Sequence, residues 1–273
     1  HLYEAPPANG TIDHFEAVST LGALCADTTN ARIACLVFYI GYRNPALLAK
    51  TAASLDHISN GRFELGLGAG WHEQEANAFG YDFPTLRTRF DMLDEAVPLV
   101  RSMLDNDRTT FSGEHFRVDD VSNIPMPVQK RLPIWVGGIG ETRTIPLAAR
   151  MADGWNAPYL PPHEFGRLCA LLDSECEKAE RDPATIRRTI NLQFLVGTTE
   201  AKVAEIRKRT VESWGPMAER VMDGALIGTP DQVIEQIGAY RDAGADGVNI
   251  ALRAPWDPDS IDAYIEDVLP AFG

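Results

Sequence analysis

Eight consecutive residues, Gly68-Ala69-Gly70-Trp71-His72-Glu73-Gln74-Glu75, follow directly on the strand-like run Arg62-Phe63-Glu64-Leu65-Gly66-Leu67. They combine glycines, an indole, an imidazole and two carboxylates. Glycine has no Cβ, so a flat ring or a phosphate can approach the main chain at Gly68, Ala69 and Gly70. Trp71 and His72 then stand at the mouth and can line a substrate pocket. Glu73 and Glu75 open a helix, where its dipole favours carboxylates, and Arg89 is their expected partner. A second strand-like run, Pro133-Ile134-Trp135-Val136-Gly137-Gly138, also ends in glycines. No HxH or HExxH spacing occurs, so metal hydrolysis is disfavoured and no metal site is expected.

These groups sit among alternating strand and helix patterns, the signature of βα units around a parallel sheet. Ala31 to Tyr39 is a near-continuous apolar run, which suits a strand covered on both sides. Asn44 and Pro45 start a helix as N-cap and first helical residue, with Leu48, Thr51, Leu55 and Ile58 as its buried stripe and Gly61 as its stop. Leu86, Phe90, Leu93, Val97 and Val100 mark a long amphipathic helix. Phe111 to Val118 reads as a small hairpin turning at Ser112-Gly113. Further helices are expected at about 142–151 and 165–180. Asp153-Gly154-Trp155-Asn156 and Thr189 to Val196 read as strands. Thr229-Pro230-Asp231-Gln232 is a capping-box start, followed by the strand 247–252 and a last helix from Pro258 to about Leu269.

That makes six barrel-type strands, whereas a (β/α)8 barrel closes with eight. The chain opens at His1-Leu2-Tyr3, then a loop from Glu4 to Gly10 and a helix over about 12–26. This reads as the end of a strand, with the first strand, first helix and most of the second strand absent from the sequence. The alternative is a six-stranded open sheet. With no internal repeat, low-complexity tract or linker, residues 1–273 read as one domain.

The net charge of -14 and the absence of a Lys/Arg cluster argue against nucleic acid as a partner. No run of about 18 apolar residues is present, so no membrane span is expected. Cys25, Cys35, Cys169 and Cys176 form no CxxC pair and read as free thiols of a cytoplasmic enzyme.

Four ordered blocks carry a family resemblance: Arg43-Asn44-Pro45 through Lys50 with Gly61-Arg62; the octet with Phe79-Gly80 and Arg89-Phe90; Pro127-Val128-Gln129 leading to Gly138; and Arg143-Thr144 through Ala152-Asp153-Gly154-Trp155. Together they resemble the bacterial luciferase-like monooxygenase superfamily, and most closely its branch of coenzyme F420-dependent oxidoreductases. The resemblance implies an N-terminally incomplete TIM (β/α)8 barrel and hydride transfer between the deazaflavin F420 and a small organic substrate. The same scaffold serves FMN-dependent monooxygenases, which insert oxygen from O2 and rely on a separate flavin reductase. Related enzymes commonly form homodimers.

The resemblance also assigns roles. Leu36 and Val37 lie where related enzymes hold a bulged strand, often with a non-prolyl cis peptide, against the central ring of the cofactor. Gly68, Ala69 and Gly70 would bring backbone amides to it. Gly137, Gly138 and Gly140 would offer amides to its phosphate, joined by Arg143. His1 stands where deazaflavin enzymes of the family carry a histidine near the reacting ring carbon, and would act as acid or base. Two rivals remain open. A non-catalytic flavin-binding barrel would fill the pocket with its own Phe38, Tyr39 and Trp71. A lyase would need a strand-end lysine, and none of the six strands supplies one.

Overall fold

Apolar runs too short for helices become parallel strands, and the stretches between them fold back as amphipathic helices. The computed structural model describes residues 1–4, 10–254 and 256–273, so most of the Glu4–Gly10 loop lies outside the described residues. The chain forms two compact units, His1–Gly137 with Thr142–Gly154 and Gly138–Glu141 with Trp155–Gly273.

The first unit runs α1 (Ala17–Asp27), β1 (Ile33–Tyr39), α2 (Pro45–Ile58), β2 (Phe63–Gly68), α3 (Glu73–Ala78), α4 (Leu86–Asp105), the pair β3 (Arg108–Ser112) and β4 (Arg117–Ser122), β5 (Ile134–Gly137) and α5 (Thr144–Met151). Strands β1, β2 and β5 pair in that order, all parallel, with Ile33 opposite Phe63 and Leu65 opposite Ile134. Helix α1 starts at Ala17, later than the pattern suggests, because the Glu16 carboxylate caps it by accepting from the Ser19 amide at 2.8 Å. Asn44 caps α2 as expected, accepting from Ala46 N at 2.8 Å. Ile58, expected in the buried stripe of α2, is exposed. Leu48 and Leu55 are buried as expected, and the buried face extends over Ala49, Ala52 and Asp56, where Asp56 accepts from the backbone and side-chain nitrogens of Gln129 at 3.0 and 2.7 Å. The β3–β4 hairpin is antiparallel, and its turn closes on α4. Glu95 accepts from the amides of Glu114, His115 and Phe116 at 2.8, 2.9 and 3.0 Å. A Cβ on Gly113 would lie 2.1 Å from that carboxylate.

An ionic knot secures the base of β5. The buried Arg101 of α4 pairs with Asp153 and donates to the Leu132 carbonyl at 3.1 Å. Asp153 also accepts from Arg131 at 2.6 Å and from Ile134 N at 2.9 Å. Removing one partner of a buried pair leaves the other charge stranded, which typically costs about 3–5 kcal/mol. In Asp153→Ala the Arg101 guanidinium keeps Asp105 at 3.4 Å, so the expected loss of unfolding free energy on denaturation is smaller, about 1–3 kcal/mol, the cost of leaving the Ile134 amide and part of the Arg101 fork unpaired. A change under about 0.5 kcal/mol, the size of an ordinary surface substitution, would show that the knot carries no stability.

The second unit runs β6 (Gly154–Pro158), α6 (Pro162–Lys178), β7 (Arg187–Val196), α7 (Glu200–Trp214), α8 (Ala218–Asp223), β8 (Ala225–Gly228), α9 (Pro230–Asp242), β9 (Gly247–Ala251) and α10 (Pro258–Ala263). Successive halves of β7 pair in parallel with β9 and β8. Trp155 stacks on Phe165 at 5.5 Å between ring centroids, and the Tyr240 hydroxyl donates to the Leu160 carbonyl at 2.7 Å. The capping box at Thr229 is present. Strand β8 is an addition to the expected set; its four residues are too short for a period to show. Trp214 to Asp223 folds as the end of α7, a 3-10 turn and α8. The last expected helix breaks after Ala263 into a π turn and a 3-10 turn. Among the described residues no helix is long and apolar enough to cross a membrane.

Candidate active site

The strand β1 is bulged where the family resemblance implies. Its register against β2 shifts between Cys35 and Phe38, and the Leu36–Val37 peptide is cis. The bulge explains three glycines, two on the adjacent β2 and one on β5 beyond it. A Cβ on Gly68 would lie 2.5 Å from Val37 Cγ2, and one on Gly137 would lie 2.8 Å from Val37 Cγ1. A Cβ on Gly66 would lie 2.2 Å from the Cys35 carbonyl oxygen. The space these glycines leave is therefore filled by the protein's own bulge, and Leu36 and Val37 themselves remain half-buried. Burial pushes the Cys35 thiol up to about 11, so it stays protonated and inert near neutral pH.

Past the bulge, the Tyr39 ring occupies the room left by Gly41 and by Gly70, where Cβ atoms would lie 2.3 and 2.4 Å from it. Gly70 also takes a positive φ of 75°, which turns the chain out of β2 toward α3. The preceding carbonyl, Ala69 O, accepts from Arg89 Nε at 3.1 Å. Arg89 is thus a partner of the turn and of the Pro84 carbonyl at 2.6 Å, not of Glu73 or Glu75 as expected. A cavity of about 710 Å³ opens here, lined among others by Tyr39, Gly41, Tyr81, Asp82, Phe83 and Met92.

Glu75 is the hub of the site. Its side chain is 2 % exposed, and every contact it makes is to an expected or unexpected site residue. Oε1 accepts from the Tyr3 amide at 3.2 Å and from the Leu2 amide. Oε2 accepts from the Tyr42 hydroxyl at 2.8 Å and lies 3.0 Å from His1 Nδ1. Burial, reinforced by the adjacent carboxylate, pushes the Tyr42 hydroxyl well above its usual range, so it serves as a fixed donor. A carboxylate offers only acceptors, so His1 Nδ1 carries a proton toward it, and in the neutral imidazole Nε2 is then the accepting nitrogen.

Trp71 and His72, expected from the octet, and His1, expected from the family resemblance, come together around this hub. The Trp71 indole stacks on His72 at 4.8 Å, and His1 meets both rings edge-on at 5.3 and 5.7 Å. Trp71 is 63 % exposed and so does not fill the pocket, as a non-catalytic barrel would require of it. His72 is buried, and its Nδ1 has no hydrogen-bond partner. Sequence reasoning missed Tyr42 and took Glu75 for a helix-opening charge. Nothing in the one-dimensional pattern shows that this carboxylate is buried or that it receives donors from 74 positions away.

The expected phosphate residues are placed as follows. The Gly138 amide already donates to Asn156 O at 3.0 Å. Gly140 lies in the irregular stretch before α5. Arg143 is held by Asp91 at 2.7 Å and Asp94 at 2.6 Å, both on α4. Its hydrogen bond to Asp91 raises the guanidinium's already high pKa.

The sequence matches the profile of the luciferase-like monooxygenases over residues 3–247. It is 31 % identical over 245 residues to an F420-dependent hydroxymycolic acid dehydrogenase of Mycobacterium tuberculosis, a match spanning 83 % of this chain and 66 % of that one. It is 24 % identical to an FMNH(2)-dependent dimethylsulfone monooxygenase of Pseudomonas fluorescens, over 85 % of this chain and 71 % of the relative. The fold is that of the solved F420-dependent secondary alcohol dehydrogenase with an F420-acetone adduct. That structure superposes with a TM-score of 0.84 at 21 % identity, covering 95 % of this chain and 84 % of the other. With its alternating βα units and this match across most of its length, the chain belongs to the luciferase-like monooxygenase family and has its α/β barrel fold.

Proposed function

We propose that the protein is an oxidoreductase that transfers a hydride between coenzyme F420 and a small substrate carrying a hydroxyl or carbonyl group. The observation that carries this reading is the buried Glu75 holding His1 Nδ1 at 3.0 Å, which presents Nε2 as a proton acceptor. A bound deazaflavin supplies the carbon that takes or gives the hydride, and it reacts poorly with oxygen. The residues of this chain do the rest. His1 Nε2 removes the hydroxyl proton as hydride leaves the substrate, and returns it in the reverse direction. Glu75 and Tyr42 keep the imidazole oriented and in one tautomer. Trp71 and His72 bound the space beside it. The half-buried bulge at Leu36 and Val37 offers an apolar surface that fits a flat tricyclic ring. Gly137, Gly138, Gly140 and Arg143 remain the proposed phosphate contacts; for Gly138 this requires its amide to leave the Asn156 carbonyl, to which it donates at 3.0 Å.

Relatives named for F420 and for FMN both exist, and oxygen insertion with reduced FMN is the second reading. A binding titration of the protein with each cofactor, followed by tryptophan fluorescence, separates them. Trp71 sits exposed beside the site and is expected to be quenched on binding. Micromolar or tighter F420 with weak FMN supports hydride transfer. Tight FMN alone moves the assignment to a monooxygenase, and binding of neither sinks both.

A further inference from the structure

The same cluster has the makings of a metal site. His1, His72 and Glu75 each offer a ligand atom, and these atoms all lie within 4.8 Å of one another. His1 Nδ1 is 3.0 Å and His72 Nδ1 is 4.0 Å from Glu75 Oε2. Bonds of about 2.0–2.1 Å to a tetrahedral ion put neighbouring ligand atoms roughly 3.3 Å apart, so modest side-chain rotations close the three on one centre. His72 supplies the independent observation. It is 7 % exposed, and its Nδ1 is a buried polar atom with no hydrogen-bond partner. Such an atom costs free energy unless something pairs with it. The supports around the ligands are also those of a metal site. Oε2 receives the Tyr42 hydroxyl at 2.8 Å, and Oε1 is fixed by the amides of Leu2 and Tyr3, so the carboxylate is held in place from behind. His1, with a side chain 34 % exposed, leaves the fourth position open to water.

We propose that His1, His72 and Glu75 bind a divalent transition ion of the Zn²⁺ class, and that the ion switches the site off. Two imidazoles and one carboxylate favour such an ion over Mg²⁺ or Ca²⁺, which prefer all-oxygen shells. The metal takes the Nδ1 lone pair of His1, and the ring proton moves to Nε2. The imidazole stays neutral, but its outward nitrogen becomes a donor and can no longer accept a substrate proton. That inhibitory consequence rests on the base role proposed for His1; the site itself does not.

The test is equilibrium dialysis of the untagged protein against Zn²⁺ and, separately, Mg²⁺, followed by metal analysis, with no cofactor present. One Zn²⁺ per chain at micromolar or tighter affinity is expected, and no saturable Mg²⁺. His72→Gln and His1→Asn are each expected to weaken Zn²⁺ binding by about 100-fold or more, larger than the 10–100-fold typical of supporting groups. His57→Gln, whose imidazole instead bonds the Met126 carbonyl at 2.8 Å, is expected to bind as the parent does. Near-UV circular dichroism confirms that each variant is folded. Equal Zn²⁺ binding by parent and His72→Gln, or no saturable binding at all, overturns the site. If Zn²⁺ binds as expected but turnover is unaffected by it or by its removal with EDTA, the metal site stands and the base role of His1 falls.

Discussion

Replacing His1 by alanine is expected to lower kcat for F420-linked oxidation of an alcohol by about 10²- to 10⁴-fold, the usual share of a positioned acid or base. Binding of F420 is expected to stay near the parent value, because the imidazole is assigned to the substrate proton and not to the cofactor. The geometry behind this is one-sided. Nδ1 is turned inward to a carboxylate that already accepts from a hydroxyl and two amides, so only Nε2 can meet substrate. Tyr42→Phe separates orientation from chemistry. It removes one donor to a charged acceptor, worth about 1.5–3 kcal/mol, and should lower kcat less than His1→Ala does while leaving the pH profile in place. A His1→Ala enzyme with kcat within a factor of a few of the parent would dispose of the assignment. The base would then have to be sought elsewhere in the site.

The second large effect concerns the bulge. Gly68→Ala puts a methyl 2.5 Å from Val37 Cγ2, and Gly66→Ala puts one 2.2 Å from the Cys35 carbonyl oxygen. Overpacking a close-packed interior typically costs about 1–3 kcal/mol and sometimes more. Gly66→Ala is expected at or beyond the upper end, because a backbone carbonyl cannot rotate away as a side chain can. The two differ in how they respond to a second change. Val37→Ala removes the atoms that collide with a Cβ at position 68, so the pair Gly68→Ala/Val37→Ala should be more stable than the sum of its single effects by about 0.5–3 kcal/mol, as contacting residues commonly couple. The pair Gly66→Ala/Val37→Ala should recover much less. Urea denaturation of the parent and the five variants decides it. Additive behaviour at position 68 would mean that the glycine does not exist to house Val37.

This bears on what glycines near a proposed cofactor site mean. Read along the chain, Gly68 and Gly137 look like openings for a ligand. In the folded unit, both openings hold the same valine, Val37 of β1, which reaches Gly68 on the adjacent β2 and Gly137 one strand further on β5. The absence of a Cβ is visible in the sequence; what occupies the resulting space depends on which strand lies alongside.

The alternation of elements, the cap at Asn44, the capping box at Thr229 and the hairpin after α4 were legible from residue types and spacing, because each is set by a few neighbouring residues; the bulge on β1 was legible only through the family resemblance. Family membership was legible for the same reason: its four blocks are local and ordered. Long-range pairing was not. Asp56 being buried against Gln129, Arg89 turning to backbone carbonyls, and Arg143 engaging two aspartates all depend on partners brought near by other elements. So does the site itself. His1, Trp71 and His72 were each named from the sequence, yet the residue that joins them, Glu75, looked like an ordinary helix-opening acid. Its burial, the Tyr42 donor and the free nitrogen of His72 arise only when the chain before α1, the turn after β1 and the start of α3 meet, because hydrogen bonding and desolvation depend on distance in space and leave no period in the sequence.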